Sequence, residues 1–236
     1  HPRIGPGLLN GKPLRGPPQA DGTEREQADG EQGEQHHQRQ GGHQGEATAA
    51  FATNIIGFKR PDDAAERLHI LPFALDEQTW CDLWNGGGCD QYKYNKDTGT
   101  VTSCAGDGIR EVNLYPQGTG SPGNRGTVDI GSSNNSTADI ARQILHGISA
   151  ADLDALGKPL QFDANGELTL NGDTGISAGV KDELAAIKGQ PRIIPIFRSV
   201  VGPGNNATYT IVKCACVRIM YVKLTGSASS KQVIIQ

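Results

Sequence analysis

The closing stretch RIIPIFRSV (192–200), GPGNN (202–206), ATYTIVKCACVRIMYVKLTG (207–226) and KQVIIQ (231–236) decides the fold class. Val212, Cys214, Cys216 and Arg218 alternate with Ile211, Lys213, Ala215, Val217 and Ile219. A period of two in a β-branched run predicts strand, either one long bent strand or two. The Gly- and Pro-containing GPGNN predicts the turn that precedes it.

Upstream, the pattern switches to helical spacing. In STADIARQILHGI, Ile140, Ile144, Leu145 and Ile148 predict one apolar helix face, and Ser136 with Asp139 forms an S-x-x-D cap. Ser149 and Asp152 repeat the cap for SAADLDALG, which Gly157 closes. SAGVKDELAAIKG predicts a helix ending at Gly189, with Pro191 beyond it. LQFDANGELTLNGD predicts a hairpin around Asn165-Gly166, and YKYNKDTGTVTS one around Asp97-Thr98-Gly99. TVDIG predicts a short strand, and IREVNLYP another, with Ile109, Val112 and Leu114 as its apolar positions and Pro116 as its end. FATNIIGF reads as a short strand or loop, and DEQTWCDLWNGG as a short helix with Trp80 and Trp84 on one face. The sum is an α+β fold, a mostly antiparallel sheet with three short helices.

Residues 1–50 differ from the rest. DGTEREQADGEQGEQHHQRQGGHQGE contains no Val, Ile, Leu, Phe, Tyr or Trp. Ordering a backbone costs about 1–2 kcal/mol per residue, and this stretch has no apolar surface to offset it. Residues 1–50 are therefore expected to be disordered or extraneous, and 51–236 to be a single domain. No apolar run approaches the roughly 18 residues of a membrane span, and the start lacks the basic-then-apolar pattern of a signal peptide. A net charge of −4 argues against a nucleic-acid partner, which calls for a basic face.

Several short patterns carry candidate chemistry. Gly118-x-Gly120-x-x-Gly123 has the letters of a dinucleotide fingerprint, but the strand-like TVDIG follows where a helix is required. Gly175-x-Ser177-x-Gly179 has the letters of a nucleophile elbow, with polar residues upstream in place of a buried strand. The last histidine is His146, so a hydrolase would combine Ser177 as nucleophile, His146 as base and an acid such as Asp173. The plain alternative is Ser177 as a helix cap. Two acidic patterns offer oxygen ligands for calcium: Asp129-x-x-x-Ser133, and Asp163-x-Asn165-Gly166-Glu167 with Asp173 downstream. Turn formation and capping are the competing roles. The cysteines at 81, 89, 104, 214 and 216 leave at least one thiol unpaired and contain no C-x-x-C. Trp80, Trp84, Tyr92 and Tyr94 suit a carbohydrate-binding row or ordinary packing.

DGIREVNLYPQGTGSPGNRGTVDIGSSNNSTADIARQI, LNGDTGISAGVKDELAAI, GQPRIIPIFRSV, GPGNNATYTIV and VRIMYVKLTGS with KQVIIQ resemble the C-terminal region of TadG-like (Tad/Flp) pilus-assembly proteins. The resemblance covers residues from about 107 to 236, with LPFALDEQTW a weaker match upstream. It implies an extracytoplasmic bacterial module, periplasmic or secreted, whose partners are pilus-assembly or cell-surface proteins. Members typically begin with a basic segment and one membrane helix, where this chain has its low-complexity start. Some carry a von Willebrand type A domain, whose metal motif Asp129 matches only with Gly131 in place of the first Ser. The resemblance supplies no catalytic residue. The competing expectation is a hydrolase of small esters or lactones, such as acyl lactones, assisted by calcium that polarises a carbonyl or primes a water.

Overall fold

The alternating C-terminal run forms the two longest strands, β7 (Pro191–Val201) and β8 (Ala207–Lys223). The computed structural model describes residues 55–115, 125–131, 136–173, 175–202, 204–227 and 230–236, apart from the side chains of Tyr115, Arg125 and Asn205. β8 is one 17-residue strand, and register irregularities opposite Phe197 bend its pairing with β7. It is long enough to pair with a different strand along each half. Its first half pairs with β6 (Leu168–Asp173) and its second half with β9 (Gln232–Ile235).

The remaining strands are β1 (Phe73–Asp76), β2 (Tyr92–Asn95), β3 (Thr100–Ser103), β4 (Val112–Tyr115) and β5 (Arg125–Val128). Sheet order is β4-β9-β8-β6-β5-β1-β7, and β7 returns to pair with β8. The ring β8-β6-β5-β1-β7 is therefore a closed five-stranded barrel, with β9 and β4 extending from the far half of β8. Closure removes the edges that an open sheet would expose. The sheet is mixed, because β1 runs parallel to β7 and antiparallel to β5.

Helices and strands share one compact unit, but four α-helices stand among the described residues where three were expected. α1 (Glu77–Trp84) is the short helix read in DEQTWCDLWNGG but left out of that count; it is started by Asp76, whose carboxylate accepts from Thr79 N–H. α2 (Thr137–His146) starts at Ser136, and α3 (Ala150–Leu156) has the full reciprocal cap between Ser149 and Asp152. α4 (Lys181–Ala186) follows a 3-10 turn at Ala178–Val180.

Other expectations need correction. Asp163 to Glu167 close a tight turn, but the residues before it make no strand, so no hairpin forms around Asn165-Gly166; β6 pairs with β5 and β8 instead. Ile109 lies outside β4 and is exposed. Leu145 is also exposed, and Ile148 is buried beyond the end of α2 in a bridge to Leu68. The expected disorder of residues 1–50 and the glycine pattern at 118–123 lie outside the described residues.

Two apolar clusters form on opposite faces of the sheet. Phe73 and Leu75 enter one, with Ile140 and Ile144 of α2, Val180, and Leu184 of α4. Ala74 enters the other, with Val128, Leu153 of α3, Leu168, Leu170, Tyr209 and Ile211. Side-chain alternation along β1 thus feeds both cores.

Candidate functional site

The ends of β5 and β6, the 3-10 turn and the start of α2 surround a cavity of about 250 Å³. Thr127, Asp173, Gly175, Ile176, Ser177 and Thr137 line it. Thr127 sits opposite Asp173 in the β5–β6 ladder, and its hydroxyl donates to the Gly175 carbonyl. The Tyr209 hydroxyl donates to the Asp173 carbonyl at 3.1 Å. Two glycines permit this closeness. A side chain at Gly126 would strike the Tyr209 hydroxyl, and one at Gly172 would strike the Thr127 carbonyl.

Ser177 and Asp173 share this cavity, and His146 does not join them. Ser177 Oγ accepts from Gly179 N–H at 3.2 Å and from the Thr137 hydroxyl at 3.4 Å. Thr137 is the first residue of α2 and His146 the last. Nine residues at 1.5 Å of rise separate them by about 13 Å. His146 is exposed at that far end. Ser177 therefore holds the cap position, preceding a 3-10 turn, and neither described histidine, His69 or His146, hydrogen-bonds to it.

Asp129 follows β5 and shares a strand face with Thr127, whose side chain meets α2 at the cavity. It is 7% exposed. Burial, and then the charge of Asp139, push its carboxyl above the usual range. Asp139 pairs with Arg142 at 3.2 Å, and Arg142 also grips Asp152 at 2.6 and 3.1 Å. Asp152 accepts from both Ser149 N–H and the Ser149 hydroxyl. Burial raises the Asp152 carboxyl, but the hydrogen bonds from Arg142 and Ser149 outweigh it and the net shift is downward. Ser133 lies outside the described residues.

The second acidic pattern is a turn. Asp163 Oδ1 accepts from Asn165 N–H at 2.8 Å and Glu167 N–H at 2.9 Å, and Asn165 is exposed. β6 carries Asp173 six residues beyond Glu167, about 20 Å along an extended strand. Asp163 and Asp173 therefore do not share an ion. Among the described residues, no group of three His, Cys, Asp or Glu side chains converges as a metal site.

The aromatics do not line up either. Tyr92 stacks on Tyr221 at 5.9 Å, and Arg218 sits 4.7 Å over Tyr94. Trp80 packs against the core, while Trp84 is 65% exposed. Trp80, Cys81, Trp84, Asn85 and Lys213 line an open groove of about 440 Å³. All five cysteines are thiols, and burial pushes the Cys214 thiol up to about 12.

The residue that sequence reasoning missed is Glu111. It is fully buried, and its carboxylate accepts from Gln91 N–H at 2.7 Å and Tyr92 N–H at 2.8 Å. Its own backbone bridges Cys89. Within IREVNL it reads as an ordinary outward polar position, because its acceptors serve residues some twenty positions away.

No protein-family profile, curated protein or solved structure matches this chain.

Proposed function

We propose that the chain is an extracytoplasmic contact module related to TadG-like pilus-assembly proteins, acting by surface recognition and not by catalysis. The observation that carries this reading is the separation of Ser177 from His146 along the length of α2. A serine nucleophile needs its base within hydrogen-bond reach, and here Ser177 Oγ caps a turn instead. The resemblance of residues 107–236 supplies the class, and the partners are pilus-assembly or cell-surface proteins. Trp84, 65% exposed, and the adjoining groove with Lys213 offer an apolar surface for such a contact.

The hydrolase reading keeps one observation in its favour, the common cavity of Ser177 and Asp173. One experiment separates the two. The protein is incubated with a panel of short-chain esters and acyl lactones, first with calcium and then with chelator. The contact module gives no turnover in either condition, and deletion of the gene from its source bacterium abolishes Tad-type pili. Turnover that Ser177→Ala and Asp173→Asn both remove establishes an enzyme and sinks the contact-module reading.

A further inference from the structure

Arg192, on β7, is a buried cation without an anion. It is 4% exposed, and among the described residues it joins no ion pair. Burial pushes its guanidinium below the ordinary value, and no carboxylate among the described residues opposes that shift. An uncompensated buried charge is costly, so proteins normally give it a counter-charge. Its hydrogen bonds are also incomplete. Nη1 donates to the Pro191 carbonyl at 3.0 Å and Nη2 to the Gln190 side-chain oxygen at 3.0 Å, while Nε is buried with no acceptor. Nε–H and Nη2–H lie along one edge of the guanidinium, an edge that can grip both oxygens of a carboxylate. Here a neutral amide oxygen takes one of those donors and the other goes unused. The parallel bridge of Ile70 to Ile193 sets His69 beside Arg192 on the same face. Burial first, and then the Arg192 charge, hold the His69 imidazole below its ordinary value. Two bases therefore meet with no acid acting on either. His69 and Gln190 are both exposed, so the guanidinium edge lies just behind the surface.

We propose that Arg192 binds a carboxylate side-on, one oxygen on Nε–H and the other on Nη2–H in place of the Gln190 oxygen, with the His69 imidazole beside it. The planar fork matches a planar acceptor, and one guanidinium charge matches one carboxylate charge. A neutral imidazole still carries one N–H, so His69 offers a further donor. The carboxylate belongs to a small organic acid or to an acidic side chain of a partner protein, and both present the same two oxygens. The site is independent of the contact-module reading, because it needs neither Ser177 nor the tryptophan groove.

The test follows the Arg192 Nε–H signal by NMR while the full chain is titrated with acetate, with a capped Gly-Glu-Gly peptide, and with phosphate and chloride at matched ionic strength. Acetate is expected to shift that signal with Kd of about 10⁻³ M, within reach of so small a ligand. At about thirtyfold excess over Kd the melting temperature rises by roughly 4–8 °C. Arg192→Lys keeps the charge but loses the fork, and Arg192→Met loses both; each weakens acetate binding at least about tenfold. Gln190→Ala removes the competing oxygen and leaves binding as tight or tighter. Tighter binding of the peptide than of acetate assigns the carboxylate to a partner protein, and equal or weaker binding assigns it to a small acid. Phosphate or chloride binding more tightly than acetate overturns the carboxylate assignment. Absence of any shift in the Nε–H signal up to about 30 mM acetate, some thirty times the expected Kd, overturns the site itself. So does acetate binding that survives Arg192→Met. Methionine is unbranched and removes a buried charge, so this variant is expected to fold, and its own melt checks that it does; Arg192→Lys carries the test if it does not.

Discussion

At the scale of single residues, the polar groups of this chain mostly organise backbone. Glu111 shows the pattern best. It holds two amides of the segment entering β2, so the β2–β3 hairpin is tied to the sheet by a side chain. Asp90 does the same for Asp107 and Gly108, and Asp107 for Tyr94 and Ile109. Replacing Glu111 by Ala removes the acceptor of the Gln91 and Tyr92 N–H groups, both partly buried. Hydrogen bonds to charged groups contribute about 1.5–3 kcal/mol each, so Glu111→Ala is expected to lower unfolding free energy by at least roughly 2 kcal/mol. Urea titration checks this, and an unchanged midpoint would show that the hairpin does not depend on Glu111.

At the scale of elements, α2 and α3 are fixed to each other by charge. Arg142 leaves α2 to reach Asp152 in the cap of α3, where Ser149 also binds it. The Asp152 side chain is 10% exposed and that of Arg142 39%, so solvent screens this pair in part. Its folded carboxyl lies below the unfolded value of about 3.9. The stabilisation is thus fully present above that value and disappears as pH falls through the lower folded one. Denaturation midpoints measured from about pH 6 down to pH 2 should fall for the wild type. In Asp152→Asn the midpoint should be lower at pH 6 and should lose part of the acid-dependent fall. An equal fall in both proteins would assign the acid limb to other carboxylates.

At the scale of the whole molecule, barrel closure depends on backbone approaching backbone. β5, β6 and β8 meet where Gly126 and Gly172 make room for Tyr209 and the Thr127 carbonyl. A methyl group at Gly172 meets main chain that is held in two ladders. Overpacking costs about 1–3 kcal/mol even where side chains can move aside. Gly172→Ala should therefore lose about 3 kcal/mol or more, seen as a lower melting temperature. An unperturbed melt would mean that the ladder can spread without loss.

The sequence by itself determined the class of each long element. Period two marked β8, the capping serines 136 and 149 marked α2 and α3, and Gly99 marked the β2–β3 turn. Such signals are local, since caps and alternation act within a few residues. Placement of the site was not local. The G-x-S-x-G letters and the acidic patterns put Ser177, His146 and Asp173 on an equal footing. Only packing showed that α2 separates the histidine from the serine, while β6 brings Asp173 alongside it. The parallel β1–β7 contact and the closure through β8 are likewise tertiary. The β1–β7 contact joins segments more than a hundred residues apart, where no local pattern reports which strands will meet. Glu111 and Asp129 are buried for the same reason: burial belongs to the assembled sheet, not to the residue type.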